Sequence, residues 1–257
     1  MDRTLIQASF VFLAALSSGT LNSVAGGGGL IMFPTLLMTG MSPVVANATS
    51  TIAALPGLIA GAKAYHPDLR EVKRLCIVFS SVSLLGGTIG ALFVLWIPGE
   101  ILKQLVPYLL LLATLLFTFS DALLSWLPAI LPKANQNSAS FLQTSSLILF
   151  FVAIYGGFYG LGISFLLLAV LRLLGLDQIH QINGLKVLLM SCNTVAAAIA
   201  FVPAEVIDWS QALFIMLGST IGGYAGAYYA RMLNPKLIRY LIIMAGFSMT
   251  GYFFIYT

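Results

Sequence analysis

The sequence predicts an all-α polytopic membrane protein: two inverted repeats of about five helical segments each, with a short broken segment after a glycine-rich break in each half. Three observations predict it. First, 60% of the 257 residues are hydrophobic and 8% are charged, whereas a soluble globule carries roughly 25% charged residues. Second, the chain repeats itself at an offset of 136 residues: Gly86, Gly87, Gly90 and Ala91 recur as Gly222, Gly223, Gly226 and Ala227, with Gly26 on Gly162 and Asn47 on Asn183. Third, a glycine-rich stretch interrupts the apolar pattern at the corresponding place in each half. An internal repeat with paired interruptions in an apolar chain points to a transporter.

Apolar runs long enough to span hydrocarbon, about 20 residues each, occupy residues 5–21, 44–64, 75–97, 105–127, 141–157, 179–202, 212–233 and 237–256. The first follows Met1, Asp2 and Arg3 in the manner of a signal peptide. No cleavage site leads into a soluble domain, so it is read as a retained span. Residues 30–38 and 163–174 form two further apolar stretches, too short to cross and at matching places in the two halves. Between the halves lie Pro128, Pro132, Lys133, Asn135, Gln136 and Asn137, a polar, proline-marked linker. The expected organisation is therefore a first repeat over 1–127, a linker over 128–140 and a second repeat over 141–257.

Loop 63–74 carries Lys63, Arg70, Lys73 and Arg74, while the matching loop 203–208 carries Glu205 and Asp208. If the basic loop is cytoplasmic under the positive-inside rule, the acidic one is external and the halves are inverted. Five segments per half, an odd number, require the same. Arg231, Lys236, Arg239 and Lys133 then fall inside and both termini outside, with Arg3 and Lys103 running against the rule. A formal charge of +4 placed at helix ends suits topology and not nucleic acid, and no nucleic-acid partner is expected. Cys76 and Cys192 lie inside apolar runs as small packing residues. The Asn47-Ala48-Thr49 sequon also falls in a span and is discarded. No metal or cofactor motif is present.

The chemistry concentrates at the breaks. Asn22, Ser23, Val24 and Ala25 lead into Gly26, Gly27, Gly28 and Gly29, and each glycine costs a helix about 1 kcal/mol relative to alanine. Broken backbone survives in hydrocarbon only where protein or a water-filled cavity surrounds it. The short segment that follows aims its amide-rich, positive end at the break, which makes an anion site. The competing reading is close helix packing through glycine. The second break runs from Tyr155 through Gly156, Gly157, Phe158, Tyr159, Gly160 and Leu161 to Gly162, adding two tyrosine hydroxyls.

Lys186 sits about seven residues into the 179–202 run with Asn183 one turn earlier; Asn47 and Ser50 take the matching positions, with Thr49 and Thr51 beside them. A buried lysine costs a few kcal/mol, so it either compensates a bound anion or snorkels to the headgroups. Asp121 is a candidate proton carrier, and the proton a candidate coupling ion, or else Asp121 is an interfacial cap. The two Gly-Gly-x-x-Gly-Ala patterns are read as close-packing surfaces. A serine-protease reading of Ser164 with His180 lacks both spacing and a second signature, so no enzyme is expected.

At this point the sequence resembles the sulfite exporter TauE/SafE family, also called the toluene sulfonate uptake permease family. The resemblance rests on residues 22–34 with their glycine run, Leu30 and Pro34, on Gly40, on Ala46-Asn47-Ala48-Thr49-Ser50, and on 155–162 and 183–186 in the second half. It implies a carrier of the bacterial inner membrane that exports sulfite, sulfoacetate or related organosulfonates by alternating access. An anion channel built on the same half-helices is the alternative. The candidate substrate-binding residues are Asn22, Ser23, Gly26, Gly27, Gly28, Gly29, Asn47, Thr49, Ser50, Tyr155, Tyr159, Gly160, Asn183 and Lys186.

Overall fold

The computed structural model describes residues 3–24, 27–119, 139–174, 176, 178–229 and 235–256. All the regular structure among them is α-helical. In chain order the helices are α1 (Arg3–Val24), α2 (Gly29–Met38), α3 (Pro43–Ala64), α4 (His66–Glu71), α5 (Lys73–Trp96), α6 (Gly99–Thr118), α7 (Ala139–Phe158), α8 (Ile163–Leu173), α9 (Ile179–Phe201), α10 (Trp209–Tyr229) and α11 (Pro235–Tyr256). By length and composition α3, α5, α6 and α9 each hold a stretch able to cross a membrane, and the shorter apolar helices include α2 and α8.

The 136-residue register reaches the element boundaries. α1, α3, α5 and α6 begin at 3, 43, 73 and 99, and α7, α9, α10 and α11 begin at 139, 179, 209 and 235. Among the described helices α4 alone lacks a helical counterpart; of the matching residues 202–207, 202–205 form turns. His66-Pro67 at its start and Asp68 in its first turn are start signals that a reading based on apolar runs passes over. The sequence also starts the fourth span at 105, six residues after α6 begins. Glu100 and Lys103 interrupt hydropathy there, yet Glu100 stands in the first turn of α6, where a carboxylate favours the helix.

Among the helix pairs, α1 with α10 and α5 with α7 make the most extensive contacts. Each pair joins a helix of the first half to one of the second, and α1/α10 maps onto α7/α5 under the 136-residue register. Glycine makes both seams close. A methyl added at Gly90 would meet the carbonyl oxygen of Ile154, one at Gly157 the carbonyl of Gly87, and one at Gly222 the carbonyl of Leu16. The Thr20 hydroxyl donates to the Gly222 carbonyl at 3.0 Å across the α1/α10 seam. Helix association in lipid rests on such close van der Waals contact, since lipid tails are as apolar as leucine.

α9 lies centrally, touching α3, α4, α5, α7 and α8. Ile182, Leu185 and Leu189 on α9 join Phe79, Leu149 and Leu171 in one apolar cluster. Phe33, Leu36, Leu110, Phe117, Ile215 and Ile242 form part of another around α2. Gly90→Leu should lower the thermal midpoint in detergent by several degrees, since overpacking costs about 1–3 kcal/mol. Gly251→Ala, with nothing within 4 Å of the added methyl, should leave it unchanged. Equal midpoints for the two variants would dismiss the seam argument.

Candidate functional site

At the first break α1 ends at Val24 and α2 begins at Gly29; Ala25 and Gly26 lie outside the described residues. The Asn22 side chain reaches forward, and its Oδ1 accepts from the Gly28 N–H at 3.0 Å. The first turn of α2 closes through Leu30 N–H to Gly27 carbonyl and Met32 N–H to Gly28 carbonyl, both 3.1 Å. The Gly29 N–H takes no acceptor among the described residues. This end of α2 presents the positive dipole end that favours an anion.

The second break is shorter than the sequence indicates. α7 continues through Gly156 and Gly157 to Phe158, and only residues 159–162 separate it from α8. Gly160 and Gly162 have φ of 71° and 77°, a region open to glycine but costly for residues with a Cβ. The Tyr155 hydroxyl donates to the Leu161 carbonyl at 2.7 Å and so holds the loop to α7. Asn47 of α3 donates from Nδ2 to the Phe158 carbonyl at 3.0 Å, and Asn193 of α9 donates from Nδ2 to the Ala153 carbonyl at 2.8 Å.

The two breaks meet at one cavity of about 100 Å³, the volume of about three waters at ~30 Å³ each. Gly27, Gly29 and Leu30 line it from the first break, and residues 159–163 from the second. α3 adds Asn47, Ser50 and Thr51; α9 adds Met190, Asn193 and Thr194; α1 adds Ser18 and Asn22; α10 adds Ser219. The lining is made of amides, hydroxyls and apolar groups, with no charged side chain among its described residues. Tyr159 is 3% exposed and packs edge-on against Phe33 with ring centres 5.2 Å apart. Its hydroxyl is buried without a hydrogen-bond partner among the described residues.

Of the residues singled out in the sequence, Asn22, Gly27, Gly29, Asn47, Ser50, Tyr159 and Gly160 are brought together here. Gly28 stands behind this wall, where a methyl would meet the Ser18 carbonyl. Thr49 is buried, and its Oγ1 accepts from the Asp208 N–H at 3.1 Å near the start of α10. Tyr155 acts on the loop and does not line the cavity. Asn183 and Lys186 lie on α9, half-buried and outside the lining. Ser23 belongs to α1, with its side chain outside the described residues, as are Gly26 and Asp121. Ser164 is buried in the first turn of α8 and His180 exposed in the first turn of α9.

Ser18, Asn193, Thr194 and Ser219 line the cavity without having been singled out. Their signal is in the sequence: Ser191-Cys192-Asn193-Thr194 stands in the middle of an otherwise apolar run, where polar side chains need partners.

The family model for "Sulfite exporter TauE/SafE" matches residues 11–253. The chain belongs to this family. A "probable membrane transporter protein" of Haemophilus influenzae is 29% identical over 253 residues, covering 98% of this chain and 96% of the relative. "Probable membrane transporter protein ORF9" of Sinorhizobium sp is 27% identical, covering 94% and 90%. "Probable membrane transporter protein YfcA" of Escherichia coli K12 is 26% identical, covering 94% and 87%. No solved structure matches the chain. As a TauE/SafE member with apolar helices throughout, the chain is a multi-pass membrane protein and a transporter.

Tyr155→Phe removes a hydrogen bond and should cost about 1 kcal/mol of stability. Tyr159→Phe removes a buried hydroxyl without a partner and should cost nothing, or stabilise. Thermal midpoints in detergent compare them; a larger loss for Tyr159→Phe would mean that its hydroxyl is bonded within the protein.

Proposed function

We propose that this transporter carries a small sulfur-containing oxyanion, sulfite, sulfoacetate or a related organosulfonate, outward across a bacterial inner membrane. The observation that carries the reading is the opening of both half-helix N-termini, α2 at Gly29 and α8 at Gly162, onto one small cavity. Two positive dipole ends favour a compact anion. Asn47, Ser50, Asn193 and Thr194 supply amide and hydroxyl groups around it, and the Tyr159 hydroxyl supplies a donor without a partner among the described residues. A cation would meet the wrong sign of dipole from both sides.

Residues 1–127 and 141–257 act as inverted copies joined by 128–140, with both termini external. Support comes from the shared 136-residue helix register and from the equivalent α1/α10 and α7/α5 seams. Alternating access then consists of one copy rocking against the other around the cavity between them. The inverted arrangement places loop 63–74 and loop 203–208 on opposite faces. With Cys76 and Cys192 replaced by alanine, Arg70→Cys and Ala204→Cys should react with an impermeant thiol reagent from opposite sides of the membrane. Labelling from one side would end the inverted-repeat reading.

Purified protein in proteoliposomes should show saturable sulfite flux accelerated by sulfite on the far side. Conductance above carrier turnover, without that acceleration, would make it a channel. A hydrogen bond to a charged group contributes about 1.5–3 kcal/mol, so Tyr159→Phe should raise the sulfite Kd about tenfold or more with the fold intact. Gly29→Val, whose Cβ would meet the Leu161 side chain, should abolish flux. A Tyr159→Phe Kd within twofold of wild type would remove the hydroxyl from the site.

A further inference from the structure

Lys186 is half-buried within α9 and takes no hydrogen bond or ion pair among the described residues. Its place along the helix is specific. Met190, Asn193 and Thr194 line the cavity, and Lys186 precedes them by four, seven and eight residues, which puts all four on one stripe. At 1.5 Å per residue, Lys186 stands about 6 Å beyond Met190 toward the N-terminal end of α9. Helical side chains lean toward the helix N-terminus, so its ammonium leans further from the cavity.

The same end of α9 is covered by other elements. A methyl at Gly61 of α3 would lie 3.1 Å from Val187 Cγ1, and one at Gly184 would lie 3.0 Å from Tyr65 Cβ. The Gln181 Nε2 donates to Glu71 Oε2 of α4 at 2.7 Å. α3 and α4 thus cover the N-terminal end of α9, and along the helix axis Lys186 lies between that covered end and the cavity, on a face about 100–160° round from Gln181, Gly184 and Val187.

Resting on the transport reading above, we propose that Lys186 is a way-station: it receives the anion between the cavity and the α4 face once α3 and α4 part from α9, and it does not ligate the seated anion. A ligand of the seated anion belongs in the cavity lining, where Lys186 is absent. A route between an uncharged cavity and water needs an attraction that is strong enough to draw the anion and remote enough to let it go. A single ammonium one turn outside the cavity meets both needs.

The test uses the full chain with Cys76→Ala and Cys192→Ala, in proteoliposomes of known orientation. Lys186→Cys should lower sulfite flux at least fivefold. 2-Bromoethylamine, which returns an ammonium through a thioether that sulfite does not cleave, should restore at least half the flux once the excess is removed, and 2-bromoethanesulfonate should restore none; the impermeant trimethylammonioethyl methanethiosulfonate, applied before any sulfite, should label the position from the α4 face only. In the same background Met190→Cys, inside the cavity, should be protected from the methanethiosulfonate by saturating sulfoacetate, while the Lys186→Cys labelling rate stays within twofold. Sulfoacetate protection of both positions would make Lys186 a ligand of the seated anion, and reaction from neither face, or full flux in Lys186→Cys, would make it a lipid-facing group; each overturns the proposal. If the cysteine-free protein carries no sulfite, the transport reading fails, whereas the sidedness of labelling still decides where Lys186 lies.

Discussion

Backbone polar groups cannot be left bare in hydrocarbon, and this structure breaks two helices within a chain made for hydrocarbon. Most else about its centre follows from how the freed groups are occupied. Asn22 takes the Gly28 amide, Tyr155 takes the Leu161 carbonyl, Asn47 takes the Phe158 carbonyl and Asn193 adds a donor to the Ala153 carbonyl. The first three bonds tie a break to a full-length helix, and the fourth ties α7 to α9 just ahead of the second break. The two groups without a partner among the described residues, the Gly29 amide and the Tyr159 hydroxyl, lie at the cavity.

Close packing of the surrounding helices keeps the breaks in place. α7 enters the second break after running along α5, and α1 enters the first after running along α10. The glycines on these seams bring backbone against backbone, so the approach is set by main-chain atoms and not by flexible side chains. Ser83 extends the same framework to α9, its hydroxyl donating to the Leu189 carbonyl at 2.8 Å. A rigid frame of this kind lets short helices such as α2 and α8 end in the middle of the molecule with fixed direction.

The two halves are alike in helix register and unlike in chemistry. Asn47 donates to the second break, whereas Asn183, its counterpart at 136 residues, lies outside the lining. The first break is pinned by an amide side chain and the second by a phenol. The first needs no left-handed backbone at Gly28, while the second uses Gly160 and Gly162 in that region. Equivalent helices thus hold a cavity whose walls are not equivalent.

The sequence alone determined the helical class, the paired breaks, the 136-residue register and the family, because each is written in composition, periodicity or local spacing. Glycine runs break helices, and apolar runs of fixed length span hydrocarbon, whatever packs around them. Tertiary structure decided which polar groups share a cavity. Helical spacing puts Lys186 on a face with Met190 and Asn193, but only the depth of α9 against the breaks puts Asn193 inside and Lys186 outside. Thr49 and Ser50 are neighbours in sequence, yet 100° of helix rotation turns one to the Asp208 amide and the other to the cavity. Direction of a side chain about its helix is a property of the sequence; what stands in that direction is a property of the fold.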